Sequence, residues 1–196
     1  MTENHADRGP WEEAPRGLGL VLDAGRGSLP YALIHGEALV ACAAWALGEA
    51  GATLLDASVE WEALAGTAAE TGDPVVLHDS LCPMTPPDFI VACVQRSLAE
   101  DAVVVATRPV TDTVKVVSHG LVGETVDRDR LRSVASPVVL PPSVVAALPT
   151  APGPDLVAAV IDLARSHLVV QVEAPATARR VGSADDITLL AALTAG

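Results

Sequence analysis

Charged residues at three places in the sequence could bind a charged ligand. The turn Gly25-Arg26-Gly27 could cradle a phosphate with backbone N–H groups, or simply connect a strand to a helix. Asp79 ends the largely apolar run 74–78, where open α/β sheets place ligand sites, although an aspartate there also caps turns. Arg128 lies in the cluster 127–130, which is either a phosphate-binding site or a solvated surface of alternating charge.

The elements that must position these residues alternate along the chain. Leu18–Asp23 predicts a strand before the glycine turn, and Glu37–Ala50 has helical spacing. Further strands and helices alternate as far as Thr107. This alternation predicts an α/β fold of three layers, in which helices cover both faces of a mostly parallel, Rossmann-like sheet.

The second half of the chain departs from that alternation. Two extended runs, Thr113–Ser118 and Leu121–Val126, flank His119-Gly120, and this pattern predicts a β-hairpin arm projecting from the body. A strand is then predicted at Pro137–Leu140. Asp155 is predicted to cap the next long helix, as aspartate commonly does.

Composition limits the possible partners and the compartment. Twelve Lys and Arg against twenty-five Asp and Glu give a net charge of −13, which disfavours nucleic acid as a partner. No uncharged apolar run reaches the roughly 18 residues that a membrane helix needs, so we expect a cytoplasmic protein without a membrane partner. Residues 1–17 predict a flexible tail and residues 18–196 a single domain, in which Trp45 is predicted to be a core residue.

Three motifs occur in the order of one known family. They are Val76-Leu77-His78-Asp79 followed by Pro83, the run Pro109–Lys115, and Thr125–Arg128 leading to Leu131 and Ser136-Pro137. From about Leu18 onward the chain resembles the methylerythritol-phosphate cytidylyltransferase family. That family transfers CMP from CTP to a branched tetritol phosphate in isoprenoid precursor synthesis, using magnesium, and has a nucleotide-diphospho-sugar-transferase type of fold.

The resemblance implies roles for particular residues. The nucleotide-binding loop corresponds to Ala24, Gly25 and Gly27, and the magnesium ligand to Asp79. Recognition of the phosphate on the small substrate is carried over to Thr113, Arg128 and Ser136. The arm, about residues 111–136, crosses to a second subunit in the family, so the resemblance also implies a homodimer.

The chain departs from the family where the family carries cations. The first loop is shortened, its catalytic arginine is missing, and Tyr31 stands where the family has a lysine. Ser80–Pro83 replaces a segment that contains another arginine, and Arg180-Val181-Gly182 replaces Lys-Val-Thr. Because such cations neutralise the charge that develops during phosphoryl transfer, losing one typically costs about 10² to 10³ in rate.

These departures predict a cytidylyltransferase-like homologue with little or no CMP transfer and weak or absent CTP binding. Dimerisation and binding of a phosphorylated small molecule would survive. The alternative is an active nucleotidyltransferase in which Arg26, Lys115 and Arg180 replace the lost catalytic cations and Asp79 holds Mg²⁺.

Overall fold

The computed structural model describes most of the chain beyond its first fifteen residues. The described stretches are 16–56, 58–110, 114–118, 121–128 and 131–195. The predicted tail apart from its last two residues, Thr113, and the His119-Gly120 turn lie outside them. The first strand begins at Gly17, one residue before the predicted domain boundary.

The strands and helices follow the predicted order closely. The strands are β1 (Gly17–Leu22), β2 (Leu33–Ile34), β3 (Glu37–Ala38), β4 (Ala52–Leu54), β5 (Val75–Asp79), β6 (Val103–Pro109), β7 (Val114–Ser118), β8 (Leu121–Val126), β9 (Arg132–Leu140) and β10 (Val169–Glu173). The helices are α1 (Leu39–Glu49), α2 (Trp61–Thr71), α3 (Pro87–Glu100), α4 (Pro142–Ala147), α5 (Leu156–Leu163) and α6 (Ala184–Leu193). None of the helices in the described stretches is long and apolar enough to span a bilayer.

Six strands form one mixed sheet in the order β10-β6-β9-β5-β1-β4. β1 pairs in parallel with β4 and β5, β10 pairs in parallel with β6, and β9 is inserted antiparallel between β5 and β6. Successive side chains of a strand point to opposite faces. Accordingly Val75 and Leu77 pack with α2, α4 and α5, whereas Val76 packs with α1 and α3. The predicted three-layer α/β fold is therefore confirmed.

The hairpin arm is shorter than predicted. β7 and β8 pair with each other in a separate two-stranded sheet. The segment predicted as the returning end of the arm instead belongs to β9, which starts at Arg132 and pairs with β6, matching Val134 to Thr107. Ser133, Ala135 and Ser136 are small residues with weak strand preference, so the apolar pattern revealed the strand only from Pro137 onward.

Trp45 is not a core residue, contrary to the prediction. It is 61% exposed, because α1 turns Leu39, Ala43 and Leu47 toward the interior and leaves Trp45 on the outer side. Apolar residues occupy both sides of this helix, so the pattern could not show which side was buried.

Close packing of α1 on β1 predicts that Gly19→Ala destabilises the protein. A Cβ at Gly19 would lie 3.2 Å from Leu47 Cδ1 and 3.3 Å from Ala52 Cβ, which is tighter than normal packing. Overpacking of this kind costs about 1–3 kcal/mol. Chemical denaturation should show that loss in the free energy of unfolding.

Gly66→Ala provides the matched control. Gly66 lies within α2 and a Cβ there would meet nothing within 4 Å, so this substitution should stabilise by about 0.5–1 kcal/mol. Equal effects of the two substitutions would contradict the packing argument.

Candidate active site at the carboxyl edge of the sheet

The candidate site lies where two parallel neighbouring strands end. β1 and β5 are paired in register, with Leu22 opposite Asp79, so the loops that follow them emerge at the same edge of the sheet. Ser80 fixes the two ends together, because its backbone N–H and its hydroxyl both donate to the carbonyl of Leu22. This is the edge at which open α/β sheets bind ligands.

Asp79 is the centre of the site. Its side chain is 5% exposed, and its two carboxylate oxygens accept hydrogen bonds from different arginines: Arg26 Nε donates to Oδ1 at 2.7 Å and Arg180 Nε to Oδ2 at 3.0 Å. The backbone N–H of Leu81 also donates to Oδ1, at 2.9 Å. Burial alone would raise the pKa of Asp79, but these hydrogen bonds and the positive charge of Arg26 outweigh it and hold the pKa below its usual value.

Arg26 points into the protein from the tip of the glycine turn. Gly25 and Gly27 have φ of 77° and 59°, in the left-handed region that glycine adopts without strain. Between them, the guanidinium of Arg26 turns toward the sheet edge. Besides Asp79, it donates to the carbonyls of Ala24 at 2.7 Å and Pro154 at 3.0 Å.

Arg180 donates to the other oxygen of the same carboxylate. The adjacent Val181 is fully buried and its N–H donates to the carbonyl of Leu81 at 2.8 Å, which positions Arg180 beside Asp79. Unlike Arg26, whose side chain is 7% exposed, Arg180 has a side chain that is 46% exposed. Arg180 is therefore the arginine of this pair that faces solvent.

A cavity of about 410 Å³ opens beside the two arginines. The first half of β9 and the start of α5 complete its wall. Its lining residues are Ala24, Gly25, Arg26, Asp79, Val134, Ala135, Pro154, Asp155, Leu156, Val157 and Arg180. A volume of this size falls within the range of small-molecule sites.

Ser136 and His78 lie behind Asp79, inside the sheet. Both are fully buried; Ser136 Oγ lies 2.5 Å from His78 Nδ1 and accepts the backbone N–H of Asp79 at 2.9 Å. Burial lowers the pKa of His78 to about 4, so its ring is neutral at pH 7. His78 is therefore a buried, neutral histidine that contacts Ser136, whereas phosphate binding by Ser136 remains a prediction.

The cavity unites one half of the predicted site residues. Ala24, Gly25, Arg26, Asp79 and Arg180 line it together, and Gly27 follows directly in the turn. Lys115 and Arg128 are exposed residues of the hairpin region, and Thr113 lies outside the described residues. The roles proposed for all of these residues stay predictions.

The sequence did not indicate two features of the site. One is the direct contact of Arg26 with Asp79; the other is the contribution of Pro154 and Asp155. Asp155 Oδ1 accepts the N–H groups of Val157 and Ala158, so the carboxylate caps α5 while the same residue lines the cavity. The sequence signal that could have indicated Pro154 and Asp155 is the proline-rich link 149–154, which leads into the helix cap Asp155.

The side chains as they lie do not provide a magnesium site. Both oxygens of Asp79 already accept hydrogen bonds from arginine, and a metal ion there would have to displace at least one guanidinium. Among the residues that the structure describes, no three His, Cys, Asp or Glu side chains form a group that could hold a metal. Magnesium binding at Asp79 therefore remains a prediction of the family resemblance.

Comparison with known proteins identifies related folds. The family described as 2-C-methyl-D-erythritol 4-phosphate cytidylyltransferase matches residues 49–190. No curated protein sequence matches the chain.

Solved structures from three organisms are similar to about nine tenths of this chain. The 2-C-methyl-D-erythritol 4-phosphate cytidylyltransferase of Thermus thermophilus has 20% identity and a TM-score of 0.63, covering 89% of this chain and 96% of its own. The 4-diphosphocytidyl-2C-methyl-D-erythritol synthase of Anaerococcus prevotii has 13% identity and a TM-score of 0.62, with 91% and 95% covered. The Francisella tularensis cytidylyltransferase has 14% identity and a TM-score of 0.59, with 89% and 97% covered. At these identities the likeness shows the fold.

Asp79→Asn should strongly destabilise the protein at neutral pH. The substitution leaves the buried guanidinium of Arg26 without its counter-charge, and breaking a buried ion pair costs about 3–5 kcal/mol. Because the folded-state pKa of Asp79 is lowered, its stabilisation is complete above the unfolded value of about 3.9 and is lost as the pH falls through the lower folded value. Thermal unfolding of the wild type and of Asp79→Asn should be compared from pH 7 to pH 3. The difference between their unfolding temperatures should narrow in the most acidic samples.

Glu100→Gln is the control for this experiment. It breaks the exposed Arg96–Glu100 pair, whose loss should cost no more than about 1 kcal/mol. If Asp79→Asn lowered the stability of the protein as little as Glu100→Gln does, that result would contradict the stabilising role of the buried ion pair.

His78→Asn should flatten the acid dependence of stability. The folded protein keeps His78 neutral down to about pH 4, whereas the unfolded chain binds a proton below about pH 6.5. Stability is therefore lost as the pH falls from 6.5 to 4, by about 3 kcal/mol at 1.36 kcal/mol per pKa unit. The measurement is the free energy of unfolding in urea across this range; an unchanged slope in the variant would contradict the role of His78.

Proposed function

This chain belongs to the 2-C-methyl-D-erythritol 4-phosphate cytidylyltransferase family, and from that premise we propose that it is a homologue with weak or no CMP transfer. Its crevice binds a phosphorylated small molecule, and its hairpin arm serves a homodimer. In this proposal the chain keeps the scaffold of the family's isoprenoid-precursor enzymes, while the groups that activate a nucleotide have changed.

The pairing of Asp79 with Arg26 and Arg180 is the observation that carries this proposal. Nucleotidyl transfer needs cations free to neutralise the α-phosphate and the departing pyrophosphate. Here the two guanidinium groups at the cavity neutralise a carboxylate of the protein itself, at 2.7 and 3.0 Å. A triphosphate and its magnesium ion would have to open both ion pairs before catalysis could begin.

Binding of a phosphorylated small molecule is supported by the half-exposed Arg180. It makes one hydrogen bond to Asp79 through Nε and lines the 410 Å³ cavity. The planar guanidinium fork suits a phosphate, because it can donate two parallel hydrogen bonds. Arg128 on the hairpin, with Thr113, is proposed to complete the site across a dimer, as the family resemblance implies.

An active nucleotidyltransferase is the second candidate, and one observation favours it. Arg26 and Arg180 converge on the cavity that also contains Asp79, so both are at the location where replacement cations are needed. This function would require the arginines to leave Asp79 when substrate and Mg²⁺ bind. Lys115, the third replacement cation, is an exposed residue of β7.

A pyrophosphate-release assay separates the two candidates. With CTP, Mg²⁺ and 2-C-methyl-D-erythritol 4-phosphate, the wild-type protein should release no pyrophosphate above the blank, because its cavity cations are paired. Calorimetry with the tetritol phosphate should detect binding that weakens by about tenfold or more in Arg180→Gln and in Arg128→Gln.

Arg132→Gln is the control, because Arg132 is an exposed arginine of β9 outside the cavity lining. The Arg132→Gln variant should bind the tetritol phosphate with the same affinity as the wild type. Pyrophosphate release by the wild-type protein that requires both CTP and Mg²⁺ would establish the active enzyme instead, and absence of binding by the tetritol phosphate would refute phosphate recognition.

A further inference from the structure

The buried guanidinium of Arg26 forms hydrogen bonds with three segments around the crevice. Arg26 Nη1 donates to Ala24 in the loop after β1, Nε to Asp79 at the end of β5, and Nη2 to Pro154 just before α5. The carbonyls of Ala24 and Pro154 are far apart in sequence, and Arg26 bridges them directly. With a side chain 7% exposed, Arg26 is a fixed part of the wall.

This bridge coincides with the border between two cavities. The first is the 410 Å³ cavity lined by Asp79 and Arg180; the second, of about 220 Å³, is lined mainly by apolar side chains, including Leu64, Leu77 and Trp61. Both cavities contact Ala24 and Pro154, the two residues that Arg26 joins. The two cavities therefore adjoin at Ala24 and Pro154, and we refer to the first as the charged compartment and to the second as the apolar compartment.

In the charged compartment, Arg180 keeps hydrogen-bond donors that its pairing with Asp79 does not use. Asp79 neutralises the buried Arg26, whereas Arg180 faces the cavity, and in the described part of the chain its Nη groups have no hydrogen-bond partner. Asp155 adds a carboxylate to the same lining. This balance suits one phosphate group better than the several negative charges of a triphosphate.

We propose that Arg26 is a specificity-determining residue whose bridge between Ala24 and Pro154 restricts the crevice to inorganic phosphate and simple phosphomonoesters and keeps out nucleoside triphosphates. A nucleotide has a charged end and a flat, largely apolar base, and these ends match the two compartments. A ligand that uses both compartments must pass between Ala24 and Pro154, which Arg26 holds together. The inference rests on the proposed function in one respect, namely that the charged compartment binds phosphate.

Arg26→Lys tests this inference. Lysine keeps a positive charge beside Asp79, but its single ammonium group cannot reproduce the planar fork that reaches all three partners. Calorimetric titrations with inorganic phosphate and with CTP, each with Mg²⁺ and with EDTA, would compare this variant with the wild type. Arg96→Lys, the same substitution in the exposed Arg96–Glu100 pair of α3, is the control.

The ratio of CTP affinity to phosphate affinity is the decisive quantity. In wild type and in Arg96→Lys, CTP should bind no more tightly than phosphate. In Arg26→Lys, the ratio should rise by about tenfold or more. An unchanged ratio in a variant with wild-type circular dichroism would overturn the inference.

Two further outcomes are also decisive. Arg26→Gln serves as a second open variant if the lysine variant does not fold; failure of both to fold would mean that Arg26 holds the fold together, which would also overturn a selective role. The phosphate titration of the wild type tests the proposed function separately: absence of phosphate binding would refute it and the inference with it, whereas phosphate binding with an unchanged ratio would overturn only the role of Arg26.

Discussion

The carboxylate of Asp79 is buried at the end of a central strand, and the arrangement around it depends on how that charge is neutralised. A carboxylate with 5% of its side chain exposed has lost most of its contact with water, so it needs a cation or several hydrogen-bond donors nearby. Two guanidinium groups and one backbone N–H fill that need. The loop after β1, the segment before Val181 and the approach to α5 all take positions that bring those donors together.

The sheet makes this meeting possible before any side chain is considered. β1 and β5 run parallel and end opposite one another, while β9 runs antiparallel on the other side of β5. Ser136, on β9, thereby lies beside the last residues of β5, where its hydroxyl accepts the N–H of Asp79 and contacts His78. The backbone of Asp79 is thus held by Ser136 on β9, and its carboxylate is held by Arg26 and Arg180. This rigidity limits how far Asp79 can move to meet a different cation.

The fold and the position of the candidate site could be predicted from the sequence, whereas the side-chain contacts within the site could not. Asp79 could be placed because a buried apolar strand ending in a carboxylate leads to one edge of a parallel sheet. The direction of the Arg26 side chain could not be predicted, because a side chain in a glycine turn can point toward the protein or toward solvent. Its partner Arg180 lies 101 positions from Asp79, and local patterns carry no information at that distance. Trp45 was misplaced because both sides of α1 are apolar, so periodicity gave no direction.

A divalent ion and a guanidinium are alternative solutions to the same electrostatic problem, but they have different consequences. A metal ion exchanges with solvent and carries open coordination positions to a substrate phosphate. An arginine is covalently tethered, cannot be deprotonated, and directs its donors in a fixed plane. In the function proposed above, a carboxylate that two arginines already satisfy would no longer recruit a metal, and the arginines would attract a polyphosphate less strongly. On that proposal, changing the partners of one carboxylate would weaken metal binding and nucleotide binding together, without requiring a change in the surrounding fold.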